Sequence, residues 1–244
     1  MRVLRRIDQA EEQRIREMRD EQRRLHLVPT PVAHIGLTVY DKNGVPTAHY
    51  EDRSKSWTRN FYNWVVCQQM TADTNCLGTT FGGGKLSLRN YPGTVRQAAS
   101  PAYHSSSTGG TSHNGYRANG GQVDRGIVVG LSDAAESFDS FALGTLCTEG
   151  TGANQLNYLA TDAIVPVWDN TEKTMTLSLK RGIVNNGAAQ VDIKEIGLIA
   201  WIITPVASVA ESFLVARDVL SSTIELAVES MLKVTYTIQI AYPE

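Results

Sequence analysis

Cysteine is scarce in this chain, charge is nearly balanced, and long apolar runs are missing. The three cysteines, Cys67, Cys76 and Cys147, are an odd number without a C-x-x-C pair. That argues against a disulfide framework and a thiolate metal centre and points to buried free thiols, although Cys67 and Cys76 are near enough in sequence to meet around a turn. A formal net charge of −2 over 244 residues gives no reason to expect a specific nucleic-acid partner. The best apolar stretch, Ile196 to Val206, is interrupted by Gly197 and Pro205 and falls short of the ~20 residues that a membrane-spanning helix needs. Arg2, Arg5 and Arg6 open the chain without the apolar centre of a signal peptide, so synthesis in a cytoplasm, without export, is expected.

Catalytic and cofactor signatures are equally sparse. No G-x-S-x-G elbow occurs, and Gly82-Gly83-Gly84-Lys85 lacks the spacing of a phosphate-binding loop. The five histidines, His26, His34, His49, His104 and His113, are scattered. His104 and His113 share a polar segment with Asp124 nearby, but without close ligand spacing they read as exposed loop histidines. Only symmetry copies in a fibre-like trimer would gather such histidines around an axial metal. Asp133, Glu136 and Asp139 form an acidic cluster of the kind glycoside hydrolysis uses. Yet Ser132-Asp133-Ala134-Ala135-Glu136-Ser137 has the composition of a polar turn. No catalytic residue, cofactor or metal is expected.

What the chain does contain is short β-branched runs. Hydrophobic residues make up 42% of it, enough for one large all-β domain or two small ones. Met175–Lys180, Val191–Leu198, Phe213–Leu220 and Lys233–Ile240 are separated by turn-rich gaps, the pattern of an antiparallel sandwich. In the last run Val234, Tyr236, Ile238, Ile240 and Tyr242 share one face, and Thr235, Thr237 and Gln239 share the other. Further strands are expected at Ile35–Tyr40 and Val45–Tyr50, around the turn signal Asp41-Lys42-Asn43-Gly44. Others are expected at Arg125–Gly130, Ser137–Leu146, Leu156–Leu159, Ala163–Trp168 and Ser221–Val228. Asn185-Asn186-Gly187 reads as a hairpin between Met175–Val184 and Gln190–Ile203. The expected fold is mainly β: an antiparallel β-sandwich, jelly-roll-like or Ig-like, with an N-terminal α-helix and one further aromatic helix.

Three regions follow. Residues 1–26 are expected as a docking helix, with neither Gly nor Pro before Pro29 and a thin apolar stripe of Leu4, Ile7, Ile15, Met18 and Leu25. Glu11, Arg14 and Glu21 interrupt that stripe too often for a coiled coil. It suits docking on another subunit or lying over its own sheet; the plainer alternative is a solvated charged helix held by i,i+4 pairs. Residues 27–34, with Pro29 and Pro31, read as an extended linker, and 35–244 as the sandwich domain. Inside it Trp57, Phe61, Trp64 and Val65 recur at helical spacing through about Met70, after Ser54 or Ser56 as a cap. This stripe is expected to pack on a sheet or at a subunit interface rather than to stack on bases or sugars. From 78 to 121 Gly, Ser, Thr and Asn dominate, and long loops are expected.

The order of the C-terminal pieces resembles a group of tailed-bacteriophage virion proteins. The resemblance lies in Gly126-Ile127-Val128-Val129-Gly130, in Phe138-Asp139 with Ala142-Leu143, in the Gly150-Thr151-Gly152 turn and in Leu156-Asn157-Tyr158. It continues through Lys194-Glu195-Ile196-Gly197-Leu198, Leu214-Val215-Ala216-Arg217-Asp218-Val219-Leu220 and Val234-Thr235-Tyr236-Thr237-Ile238. Ser56-Trp57-Thr58-Arg59-Asn60-Phe61-Tyr62-Asn63-Trp64 looks like the aromatic helix that often precedes this module. Residues 54 to 242 are covered, apart from the Gly/Ser-rich middle. One departure is Val228-Glu229-Ser230-Met231, where the family tends to have a Gly-containing turn. The resemblance implies a non-enzymatic structural protein of the virion, in the tail or neck apparatus, as a fibre-attachment or adaptor protein. Its partners would be other virion proteins, met by the N-terminal helix, and its own copies in a trimer or higher ring. The alternatives are capsid decoration and a module that binds a host-surface glycan through Tyr91, Tyr103 and Tyr116.

Overall fold

The computed structural model describes residues 1–25, 31–69, 86–97, 115–203 and 210–241. Most of the 78–121 segment, the linker up to residue 30, Met70, Tyr242, Cys76, Tyr103, His26, His104 and His113 lie outside the described residues. In chain order the elements are β1 (Arg2–Arg5), α1 (Gln9–Arg24), β2 (Val32–Tyr40), β3 (Pro46–Ser54), α2 (Arg59–Gln69), β4 (Ser87–Arg89) and β5 (Val95–Gln97). They continue with β6 (Gly126–Gly130), β7 (Asn157–Thr161), β8 (Pro166–Asp169), β9 (Thr174–Val184), β10 (Val191–Ile203), β11 (Ala210–Leu226) and β12 (Met231–Ala241). The structure is mainly β, with several antiparallel sheets and, among the described residues, two helices. The chain divides into two compact units. Unit 1 is Met1–Lys55, Gly150–Val191 and Glu225–Glu244, and unit 2 is Ser56–Glu149 and Asp192–Ile224.

Unit 1 holds a seven-stranded sheet in the order β1-β3-β2-β12-β9-β7, with β8 also paired to β9. Its centre is β12, antiparallel to β2 on one side and β9 on the other. Alternation along β12 works as expected: Leu232, Val234, Tyr236 and Ile238 are buried, and Lys233, Thr235, Thr237 and Gln239 line the other face. Asp41 builds the β2–β3 turn, its carboxylate accepting the N–H groups of Asn43 and Val45, and Gly44 supplies the required positive φ of 76°. Arg181, on β9, is fully buried; its Nε donates to the Leu159 carbonyl at 2.8 Å and its guanidinium lies 4.8 Å from the Tyr158 ring centroid. That contact holds β7 where its register with β9 shifts.

Two expectations at the N-terminus change. Residues 2–5 are extended, not helical: β1 runs parallel to β3, and Arg5 reaches Asp52 at 2.9 Å. The helix begins only after Asp8, whose carboxylate accepts the Glu11 N–H at 2.8 Å and whose carbonyl accepts that of Glu12. Such a cap fixes the start more firmly than composition does. The stretch assigned to a linker ends early as well, since β2 already starts at Val32.

Unit 2 holds a three-stranded sheet, β11-β10-β6, a β4–β5 hairpin and α2. Thr58, not Ser54 or Ser56, precedes α2: its carbonyl accepts the Phe61 N–H and its hydroxyl donates to the Leu214 carbonyl. Ser54 instead ends β3 and hydrogen-bonds the Tyr236 hydroxyl. Buried Asn60 joins α2 to both neighbours, giving its amide N–H groups to the Arg89 and Leu214 carbonyls and accepting the Arg89 N–H.

The hairpin expected at Asn185-Asn186-Gly187 is not one. β9 has β12 on one edge and β7 and β8 on the other, so β10 pairs with β6 and β11. The turn is a corner held by Asn185, fully buried, whose amide donates to the Ala189 and Leu226 carbonyls and whose side-chain oxygen accepts the Gly187 N–H. Ser221–Val228 is no separate strand, because β11 runs without a break from Ala210 to Leu226. Ser137–Leu146 is not a strand either; its Asp139, Gly144 and Thr145 N–H groups go to side chains, and the Phe138 carbonyl accepts the Arg59 N–H.

Candidate functional site

The acidic cluster resolves into a strap rather than a carboxylate pair. Asp133 pairs with Lys194 at 3.0 Å, Glu136 accepts the Val219 N–H at 2.7 Å, and Asp139 pairs with Arg59 at 2.5 Å. Lys194 holds the Asp133 carboxyl below its ordinary range. Beneath the strap, Arg217 of β11 donates Nε to Glu195 of β10 at 2.7 Å and its two terminal nitrogens to the Ala134 and Ala135 carbonyls. The Glu195 carboxylate also accepts the N–H groups of Ser132, Gly144 and Thr145. Both side chains are buried. Glu195 faces Gly130 in the β10–β6 register, and a Cβ at Gly130 would stand 2.5 Å from its Oε1. Glycine there is what admits the carboxylate. The partner of Arg217 is thus Glu195, not its neighbour Asp218, and two of the motifs in the resemblance, 194–198 and 214–220, meet in one buried ion pair. Burial and the Glu195 charge push the Cys147 thiol up to about 12, which leaves it protonated and inert at neutral pH. Cys67 and Cys147 are both buried and outside any disulfide.

The residues expected to form surfaces are divided between interior and surface. On the helix stripe Ile15 is buried, Leu4, Ile7 and Met18 are half-buried, and Leu25 is exposed. Arg19 ties α1 to its own sheet through Gln239 at 3.0 Å. Of the aromatics, Phe61 is buried and stacked on Trp57 with ring centroids 4.0 Å apart, and Trp64 packs edge-on to Tyr116. Among the described side chains of α2 the exposed ones are Tyr62 and Val66, which the helical spacing did not single out. Tyr62 and Arg59 both lie against Phe138, an exposed residue of the strap. Tyr91 is half-buried and its phenol pushed up to about 12, by burial and then by the Glu195 charge. Tyr116 is half-buried as well.

Two surface features had no sequence signal. The first is the outer edge of the unit 1 sheet. β8 pairs with β9 and with no further strand among the described residues, and all four of its residues are exposed. Around it Val165 is 65% exposed, Val167 60%, Leu159 46% and Trp168 45%. Ala163–Trp168 reads as a strand in the sequence, but nothing in six residues tells an edge from a centre. The second is a cleft of about 520 Å³ over the polar face of the same sheet, walled by Ile7 and Glu12. Its floor includes His34, Gly36, Lys180, Thr235 and Thr237. Among the described residues no group of His, Cys, Asp and Glu is arranged to hold a metal ion.

No family model, no curated protein and no solved structure matches this chain.

Proposed function

We propose that this chain is a non-enzymatic structural component of a tailed-phage virion, a β-sandwich protein that assembles as an oligomer in the tail or neck apparatus. The observation that supports an assembly role is the edge at β8. A soluble monomer guards a sheet edge with charge, bulges or a covering loop. Here Pro166 and Asp169 bracket the strand, but Val165, Val167, Trp168 and Leu159 are exposed, and β8 pairs with no strand but β9 among the described residues. An exposed apolar edge of this kind suits strand addition or packing by another chain.

The N-terminal helix would dock on a neighbouring virion protein with what it leaves outside, Leu25 and the half-buried Met18, because Ile15 is committed to its own unit. Purified particles imaged to side-chain resolution test the proposal. Density for the chain in the tail or neck, with β8 against another chain, is the expected result. Absence of the chain from particles contradicts it. Leu25→Glu, on an exposed residue, should leave the fold unchanged and lower incorporation.

A further inference from the structure

The polar face of the unit 1 sheet is organised in rows. Lys180, Thr235, Gly36 and Glu51 stand side by side across four strands, with Ser178, Thr237, His34 and Arg53 in the next row. The start of α1 encloses these rows and leaves the cleft of about 520 Å³, a volume within the usual range for small-ligand sites. Gly36 opens the floor: a Cβ there would find only Thr235, at 3.9 Å.

The hydrogen-bonding groups in the cleft are of two kinds. Thr38 and His49 are bonded to each other, and His49 to Glu51. By contrast the Lys180 ammonium, the Thr235 and Thr237 hydroxyls and the His34 ring have no hydrogen-bond partner among the described residues, and none of them is sealed from solvent. Lys233 has Asp162 at 3.8 Å, so among the described residues Lys180 is the cleft lysine without an ion-pair partner. Burial, and then Arg19 and Arg53, keep His34 neutral at pH 7. A neutral imidazole and two hydroxyls each donate and accept, which matches the vicinal hydroxyls of a sugar. One cation matches one carboxylate.

We propose that this cleft binds an acidic saccharide, with its carboxylate on Lys180 and its ring hydroxyls on Thr235, Thr237 and His34. The site goes beyond the assembly reading and does not depend on it, because β8 lines no part of the cleft. The probe is a glucuronate-containing oligosaccharide, with a neutral oligosaccharide of the same length and inorganic phosphate as comparisons, titrated calorimetrically against the full chain. The acidic saccharide should bind most tightly, and Lys180→Met should weaken it on the order of tenfold. Gly36→Val fills the floor while suiting a strand, so it should abolish binding with an unchanged melting temperature. If Gly36→Val fails to fold, Thr235→Val and Lys180→Met decide. No binding by the wild-type chain overturns the proposal, as do binding that both variants leave intact and equal binding of phosphate. Binding without oligomers, or oligomers without binding, separates this site from the assembly role.

Discussion

Along β12, in unit 1, burial alternates residue by residue, whereas along β10, in unit 2, the six residues from Glu195 to Ala200 are all buried. The same holds for the other strands: β2 alternates, and all five residues of β6 are buried. A sheet buried on one face needs only a period of two, and the polar face is free to carry Thr, Lys and His. A sheet buried on both faces has no such outlet, so a polar residue within it must bring its own partners. Glu195 and Arg217 do so, and in doing so fix the strap over 131–145. One unit therefore offers surface, and the other spends its polar residues internally.

The largest expected effect breaks unit 2. Arg217→Ala leaves the Glu195 carboxylate buried without its cation and should cost about 3–5 kcal/mol in chemical denaturation. Replacing both residues with apolar ones should not restore full stability, because three strap N–H groups lose their acceptor. In unit 1 adjacent positions should differ sharply: Leu179→Ala, on the buried face, is expected to cost about 2–5 kcal/mol. Lys180→Ala, next to it and exposed, should change stability by less than about 0.5 kcal/mol. Equal costs at the two positions would mean that the second face is covered too.

A smaller effect is expected at Glu229, which has a φ of 61° in the turn before β12. This is the turn where the chain departs from the resembled family, which tends to have a Gly-containing turn there, and the positive φ favours glycine. Glu229→Gly should stabilise the chain by about 0.5–1 kcal/mol, measured as a higher denaturation midpoint. The smallest effect is on pH. His34 faces Arg19, Arg53, Glu12 and Glu11, and burial and the arginines lower its pKa in the folded chain. Below about pH 6.5 the unfolded chain takes up a proton that the folded one refuses, so stability should fall on acidification. His34→Gln should flatten that slope.

Much of the fold was legible because one-sided strands announce themselves. The alternation of Val234, Thr235, Tyr236 and Thr237, and the Asp41–Gly44 turn, are local patterns with local causes. What escaped was non-local. Asn185-Asn186-Gly187 has hairpin composition, but the edges of β9 were already taken by strands distant in sequence. β1 was masked by helix-forming composition, and Asp8 as cap was the signal that would have corrected it. The acidic cluster looked like chemistry because the partners of Asp133, Glu136 and Asp139 are far along the chain, at Lys194, Val219 and Arg59. The helix stripe named Ile15 as a docking residue, yet its own unit buries it, while the open apolar edge at β8 carried no signature.

That edge is where the assembly account is most exposed. Sedimentation velocity of the full chain, beside a Val167→Lys/Trp168→Glu variant, tests it directly. The account predicts oligomers for the natural chain and monomers of unchanged circular dichroism for the variant. A natural chain that stays monomeric at every concentration, or a variant that associates as well as its parent, would contradict it.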